Sequence, residues 1–489
     1  MQSNLPPHEM VSGGYPPGFR LMAPATALIA LGTYVLTLAP DLTWSNGALD
    51  GVELVVASST LGIAHPPGYP TYILLGKLFS LLPFGTVAFR YNLFSAVTIS
   101  LAVGLVTLSI GTLYPRVRPE VAMAAALLFA FSPLVWSQAV VTEVYGLNLL
   151  MVASFLLLWN RTGASFRSGL FLGLALTTHL TSMLLLPAFL MSAGRKFPRP
   201  AAGMIAGLLP LMVLPFLARG DSPVVWGSPH DLAGWLWLAS GRLYAANVQP
   251  AIDLEHLAGL LRAVIMGPAI LLMAGKAATV FPVSPAVIRI TSRPTGKLLG
   301  LTSVLYISFA IFYKTPDAAV LLVPALMMIS ILIAPLLNRI GVSALVLPLL
   351  LVLVTYSDRD LRQEQYVRPI AQTLLESAPE DALLLTPADR TIFVILYFQL
   401  IEGMRTDLSV VDSGLFAFDW YRARLAAQNE DLFIPEADNL DAFQRHNQVT
   451  RPFCLASVVS LPNEFPNGEP ASTQSTANSP YLHCIEVSH

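Results

Sequence analysis

The sequence predicts a mainly α-helical, polytopic membrane domain followed by a small C-terminal α/β domain. Three observations predict it. The 489 residues are 54% hydrophobic and only 12% charged, where a soluble chain carries about 25% charge. The apolar residues fall in blocks long enough to cross a bilayer. Beyond Ser357 the texture changes to charged stretches broken by short apolar runs.

A span needs roughly 20 apolar residues to cross about 30 Å of hydrocarbon. Leu21–Leu38, Asn92–Leu113, Val121–Val141 and Ala318–Leu337 are such blocks. The stretches 168–178 and 181–193 are short for spans. They are expected to be tilted, broken or re-entrant, which a bilayer tolerates only where protein or water covers the freed backbone. The tail over residues 1–20 is polar and Pro-rich without a cleavable signal, so the first span is expected to serve as an uncleaved anchor.

Charge sets the expected topology. Arg20, the pair Arg116 and Arg118, the pair Arg161 and Arg167, the cluster Arg195, Lys196 and Arg199, the cluster Arg289, Arg293 and Lys297, and Arg339 are all assigned to the cytoplasm. The loops 41–88, 133–143, near 179, 219–258 and 314–317 then lie outside. This gives about 11 spans, a cytoplasmic N-terminus and an extracytoplasmic C-terminus. The expected units are a tail over 1–20, a membrane domain over 21–356 and an extracytoplasmic domain over 357–489.

In that last unit Ala382–Thr386 and Leu408–Asp412 read as buried strands, with Ile392–Gly403 a helix between them. Its order suggests an α/β domain. Cys454 and Cys484, the two cysteines of the chain, both fall there; a disulfide and two free thiols are both open. Asn463–Pro480 reads as a loop.

Several function classes are excluded. A net charge of −2 without a basic patch gives no footing for nucleic acid. The lack of a CxxC argues against a cysteine-built zinc or redox site. No P-loop, dinucleotide fingerprint or HExxH occurs, and no internal repeat of the kind that marks many transporters.

The polar residues of the membrane domain concentrate in the outer loops. Asp50 and Glu53 stand three apart, on one face if the segment is helical. A carboxylate near the apolar boundary has a raised pKa, suited to a general base; two solvated loop acids are the plain alternative. Gly62-Ile63-Ala64-His65-Pro66-Pro67-Gly68-Tyr69-Pro70 is rich in residues that fix a turning backbone, which would hold His65 and Tyr69 in place. Glu143, Tyr145 and Asn148 bracket one helical turn, and ionisable residues at the membrane boundary are functional candidates. His179 lies at the break between the two short segments. Arg242 is the best-placed cation for a phosphate. Lys314 and Asp317 stand at the ends of two late spans; Lys77 and Arg90 are further cations able to snorkel from helix ends.

Those residues carry a resemblance. Asp50-Gly51-Val52-Glu53 through His65-Pro66-Pro67-Gly68-Tyr69-Pro70, then Arg90-Tyr91-Asn92, Ser132-Pro133 to Trp136, Glu143-Val144-Tyr145 and Thr177-Thr178-His179 are similar to the signature blocks of a polytopic glycosyltransferase family. That family was long catalogued as a domain of unknown function and includes a eukaryotic protein O-mannosyltransferase of the endoplasmic reticulum. The resemblance implies the GT-C architecture and an active site at the outer face. It implies a polyprenyl-phosphate-linked sugar donor, with mannose one candidate sugar, and a first-loop carboxylate, Asp50 or Glu53, as catalytic group. The family often reads Asp-Ser-Gly-Glu here; this chain has Asp-Gly-Val-Glu and keeps both acids. His65, Tyr69, Glu143, Tyr145, His179, Arg242 and Asp317 are the expected substrate-binding residues. The acceptor, whether protein, glycan or lipid, stays open, as does a divalent metal, since no third ligand beside the two acids is evident. A transporter or flippase of lipid-linked sugar and a non-catalytic scaffold are the alternatives.

Overall fold

Proline and glycine decide where the helices break. A computed structural model describes residues 15, 17–264, 294–459, 466 and 480–485. Arg289, Arg293 and most of the loop expected over Asn463–Pro480 lie outside the described residues, as does nearly all of the N-terminal tail before Pro17. The helices of the apolar part are α1 (Pro17–Val35), α2 (Gly51–Ser59), α3 (Pro70–Ser80), α4 (Val87–Leu113), α5 (Pro119–Ala130), α6 (Pro133–Ala139), α7 (Tyr145–Thr162), α8 (Phe166–Thr178), α9 (Leu186–Ala193), α10 (Pro198–Gly207), α11 (Leu232–Ala239), α12 (Pro294–Phe312), α13 (Val323–Leu337) and α14 (Val346–Arg359). Prolines open α3, α5 and α6, where the missing N–H costs no helical hydrogen bond.

Among the described residues, six helices are long and apolar enough to cross a membrane, or seven if the pair α5–α6 is one span. The charge pattern leads to about 11 by counting every reversal of the chain, including those that join shorter or interrupted helices. The block Val121–Val141 is one such case: it bends by 73° between α5 and α6, where Pro133 cannot continue the hydrogen-bond ladder. The short stretches are broken as expected. Helix α8 ends at Thr178, His179 adopts an extended backbone, and a 3-10 turn over Leu180–Leu185 leads into α9.

Helices α8 and α10 meet more closely than any side chain would allow. Cβ atoms built on Gly169 and Gly203 would lie 1.8 Å from Pro200 O and 1.9 Å from Phe166 O, and those on Gly173 and Gly207 2.2 Å from Met204 O and Leu170 O. Small residues spaced four apart on both helices give this backbone-to-backbone contact, which drives association where lipid removes the hydrophobic term. Two buried polar groups find partners within the bundle, as the hydrocarbon core favours: Trp136 Nε1 donates to Thr37 Oγ1 at 2.9 Å and Tyr34 Oη to Ala130 O at 2.7 Å.

The basic loops gather at one end of the bundle. Arg118 N donates to Asn338 Oδ1, Asn338 Nδ2 to Arg116 O, and Arg161 stacks over Tyr15. The loops assigned to the other side gather at the opposite end, where they build the site described below.

After α14 comes the α/β unit, with α15 (Val367–Ser377), β1 (Leu383–Thr386), α16 (Asp389–Leu400), β2 (Ser409–Asp412), α17 (Asp419–Gln428), α18 (Leu440–Asn447), β3 (Phe453–Ala456) and β4 (Leu482–Ile485). The sheet order is β2-β1-β3-β4, with β1 parallel to both β2 and β3 and β4 antiparallel to β3. Cys454 and Cys484 face each other across β3 and β4 and form a disulfide. This unit is seated on the first loop of the membrane domain. Arg368 spans Asp41 at 2.5 Å and Glu402 at 2.7 Å, Arg359 Nη1 donates to Asn46 Oδ1, and α16 packs on α2.

Candidate functional site

Helix α2 begins at Gly51, with Asp50 as the residue before it and Glu53 in its first turn. The sequence expectation of a shared face is met, but the two carboxylates have different surroundings. Glu53 is buried, 3% exposed, whereas the Asp50 side chain is 53% exposed. Gly51 allows this close seating: a Cβ there would lie 2.8 Å from Thr142 O.

The His65 loop folds back over α2. A parallel bridge joins Ile63 to Val225, with Ile63 N donating to Val224 O at 2.8 Å. A Cβ on Gly62 would meet Val224 O at 2.2 Å, so only glycine lets the two strands approach. Tyr69 takes a left-handed conformation (φ 43°) just before Pro70 opens α3. The result fixes His65. Its backbone N–H donates to Glu53 Oε1 at 2.7 Å, its Nδ1 lies 2.6 Å from Glu53 Oε2, and its Nε2 lies 2.9 Å from Tyr69 Oη and 3.6 Å from Asp50 Oδ2. Burial opposes the imidazolium, but the Glu53 and Asp50 carboxylates outweigh it and push His65 up to about 10. Both oxygens of Glu53 are therefore engaged by His65, and Asp50 is the acid that remains open to a substrate.

Around this trio the predicted residues assemble. Tyr69 stacks at 6.1 Å on His179, which also packs at 5.2 Å against Tyr145. His179 Nδ1 pairs with Thr181 Oγ1, so it caps the 3-10 turn. Asn148 Nδ2 donates to Ala175 O, Thr178 Oγ1 and Ser182 Oγ and clamps the break at His179. Glu143 is buried, and that burial, with Asp50 and Asp317 facing it, holds its carboxyl well above the usual range. Asp317 is exposed ahead of the 3-10 turn Ala318–Leu322 and faces Glu143 and Tyr145. Arg242 is exposed and makes no hydrogen bond among the described residues; Tyr244, from the same turn, is the one that reaches His65, at 6.1 Å. Lys77 and Arg90 hold backbone carbonyls of Ser59, Ser80, Phe84 and Gly85, a structural use.

One atom each of Asp50, Glu53 and His65 lies within 4.8 Å of the others, close enough to share a metal ion. The third ligand that the sequence did not reveal is His65. The hydrogen bonds among Glu53, His65 and Tyr69 already satisfy these groups without one.

Sequence reasoning missed Asp389. It opens α16 just beyond β1 and faces Glu53, Asp50 and His65. Burial and those two acids push its carboxyl up to about 7. The available signal was its place after a predicted strand, since open α/β sheets bind ligands at the C-terminal ends of their strands.

A polytopic helical domain with an acid-and-histidine cluster at one end, covered by a small α/β unit, is the GT-C type of architecture. The chain superposes with a TM-score of 0.55 on ArnT from Cupriavidus metallidurans bound to undecaprenyl phosphate, covering 90% of this chain and 93% of ArnT at 12% identity. With the apo state the TM-score is 0.57, over 96% and 98% of the two chains. Within that fold the sequence is more particular. The family model described as the protein O-mannosyl-transferase TMEM260 N-terminal domain matches residues 50–198, and TMEM260-associated domain 2 matches residues 367–449. The two matches lie in chain order, and in both regions the chain is similar to the TMEM260 proteins. It is 27% identical over 467 residues to protein O-mannosyl-transferase TMEM260 of Mus musculus, covering 84% of this chain and 65% of the mouse protein. It is 35% identical over 129 residues to the Dictyostelium discoideum protein of the same description, covering 26% of this chain and 15% of that one. The chain thus spans less than two thirds of these relatives' length.

Proposed function

We propose that the chain is a membrane glycosyltransferase that moves a sugar from a polyprenyl-phosphate donor to an acceptor hydroxyl on the extracytoplasmic side. Asp50 is the general base. The observation that carries this reading is the division of labour between the acids: Glu53 is spent on His65, and Asp50 stands exposed beside the imidazolium. The names of the relatives favour mannose as the sugar and a protein as acceptor, and the lipid phosphate bound by ArnT favours a polyprenyl carrier.

Asp50 takes the proton from the acceptor hydroxyl. The oxygen attacks the anomeric carbon, and the bond from that carbon to the phosphate oxygen breaks with inversion. The polyprenyl phosphate leaves with the bonding electrons. The His65 cation sits where it offsets the charge of the leaving phosphate. Arg242 can add to this only by swinging inward. Glu143, whose carboxyl burial holds above its usual range, is a candidate to hydrogen-bond the sugar, with Tyr69, Tyr145, His179 and Asp317 as further substrate-binding residues. A flippase would need polar groups along the whole bundle, whereas these crowd one end. The basic loops at the other end favour a cytoplasmic placement of that end and of the N-terminus, with residues 357–489 outside.

The test is sugar transfer from a polyprenyl-phosphate mannose to a hydroxyl-bearing peptide by purified Asp50→Asn and Glu53→Gln proteins. Transfer is expected to be lost in the first. Unchanged transfer in both removes the catalytic assignment.

A further inference from the structure

We propose that α11 is an interfacial helix, sunk through Leu232 and Leu236 into the bilayer leaflet on the side of the α/β unit, and that this lipid contact holds the loop of His65 and Tyr69 at the membrane surface. The lipid contact rests on the membrane fold; its effect on transfer rests on the transferase reading and ties that site to the bilayer from which the donor comes.

Helix α11 (LAGWLWLA) holds no charged residue. Its two faces differ. Leu232 and Leu236, four residues apart and so on one face, are 72% and 52% exposed. Gly234 and Leu238 lie on the other: a Cβ on Gly234 would meet Ser228 O at 1.9 Å, and Leu238 is fully buried. The exposed face continues a surface that lipid covers. The span Pro198–Leu217 exposes Ile205, Leu209, Met212 and Phe216, which follow one another at helical spacing. Trp235 joins the two, its Nε1 donating to Leu211 O at 3.0 Å. In a regular helix that carbonyl would bond the N–H four residues on, but that residue is Pro215, which has none; it accepts from Leu214 N and from the indole instead. Leu211 stands six residues before the end of the span, roughly 9 Å deep at 1.5 Å per residue, and Arg219 follows just beyond that end. An interfacial helix buries its apolar face about 5–10 Å into the headgroup boundary, and Trp235 is held at that depth.

The same helix touches the site from its buried side. A Cβ on Gly68, between His65 and Tyr69, would lie 3.1 Å from Leu238 Cδ2. Leu238 is thus packed on that loop, at the residue whose N–H donates to His65 O. Trp237 lies 6.2 Å from Phe418 and 6.5 Å from Trp420. Trp420 in turn lies 5.7 Å from Trp226, whose ring is 6.2 Å from His65. A helix wedged between lipid and the His65 loop transmits its depth to that loop. The occupant of its outer face is lipid and not water, since an uncharged face with two exposed leucines gains by leaving water, and the hydrogen bond to Leu211 holds it beside a lipid-facing span.

Cys454 and Cys484 are joined in a disulfide, so a single new cysteine is the one site for a spin label. Full-length Leu232→Cys and Leu236→Cys proteins, labelled and placed in phosphatidylcholine vesicles, are compared with Met212→Cys in the span and Glu376→Cys on the exposed side of α15. Oxygen, which partitions into lipid, is expected to relax the labels at 232 and 236 as it does at 212, and a water-soluble nickel chelate to relax only the label at 376. Access of the nickel chelate to 232 and 236 overturns the lipid contact. A label closed to both reagents, the mark of a protein or a second copy on this face, overturns it too. Exchanging both leucines for Ser is expected to lower transfer from polyprenyl-phosphate mannose in the same vesicles about tenfold, the factor for about 1.4 kcal/mol, and Leu232→Ile with Leu236→Met to restore it. Because both side chains are exposed, rescue by a differently shaped apolar pair reports lipid and not internal packing. Transfer by the Ser pair at the wild-type rate overturns the hold on the His65 loop. Failure of the transferase reading itself looks different: wild type transfers nothing while the labels still report lipid.

Discussion

Exchanging each first-loop acid for its amide separates chemistry from stability. Glu53 is 3% exposed and receives two hydrogen bonds from His65, at 2.7 and 2.6 Å. Glu53→Gln keeps one acceptor oxygen for the backbone N–H but turns an amide N–H₂ toward Nδ1 and removes the charge that balances the imidazolium. Hydrogen bonds to charged groups are worth about 1.5–3 kcal/mol, and breaking a buried ion pair costs about 3–5 kcal/mol. With one of the two bonds retained, a loss of about 3 kcal/mol of stability is expected. Asp50, 53% exposed, contributes little to the fold, so Asp50→Asn should change stability by no more than about 0.5 kcal/mol. Its effect falls on the reaction: removal of a general base lowers the rate by about 10² to 10⁴-fold. Denaturant unfolding in detergent and initial-rate transfer on the same preparations measure both quantities. If Asp50→Asn unfolds early while Glu53→Gln is as stable as wild type, the assignment of one acid to His65 and the other to substrate is wrong.

Three further outcomes follow from the same contacts. Since His65 is raised from 6.5 to about 10 in the folded protein, its stabilising contribution is complete below pH 6.5 and is lost as pH rises through about 10; wild-type melting temperature should fall between pH 7 and 10, and less so in Glu53→Gln. Arg368→Ala leaves the largely buried Asp41 without its 2.5 Å partner, and a destabilisation of about 2 kcal/mol is expected for this partly exposed bridge, read as faster protease cleavage between α14 and α15. Cys454→Ser opens a cross-link between residues 30 apart, worth about 3–4 kcal/mol to the α/β unit; thermal unfolding of that unit, followed by protease cleavage within it, should shift while α2 and the His65 loop persist.

Much of this was legible in the chain. Hydropathy gave the membrane class, and the arginine pattern grouped loops that do meet: Arg116 and Arg118 with Asn338, and the loops of Asp50, Glu143, His179 and Tyr244 with one another. The runs Ala382–Thr386 and Leu408–Asp412 became β1 and β2 nearly residue for residue, because short apolar strands flanked by charge have little else to do in a small sheet. What could not be read was which polar groups would be consumed by each other. Asp50 and Glu53 look alike in sequence; a fold-back loop that brings His65 onto Glu53 alone distinguishes them. Arg242 looked the better cation because it is always charged, yet its turn presents Tyr244 instead, and the carboxylates of Glu53 and Asp50 make His65 a cation against the cost of its burial. Asp389 was missed for a related reason: its place after a predicted strand was a signal, but no local pattern reports that a separate domain will lay α16 on α2.

The glycine contact between α8 and α10 has a mechanical consequence. Two helices whose backbones touch cannot slip by a residue or turn about their axes without driving a side chain into the facing carbonyl row, so they behave as a single rigid strut. His179, at the upper end of that strut, stays put as substrates come and go. The polypeptide that follows it, through Trp226 to Tyr244, is braced by its bridge to Ile63, a hydrogen bond between Ser222 and Thr60, its aromatic contacts and the reach of Arg424. Any opening needed to admit a sugar on a lipid tail therefore falls to that upper segment, hinged against a base that does not yield.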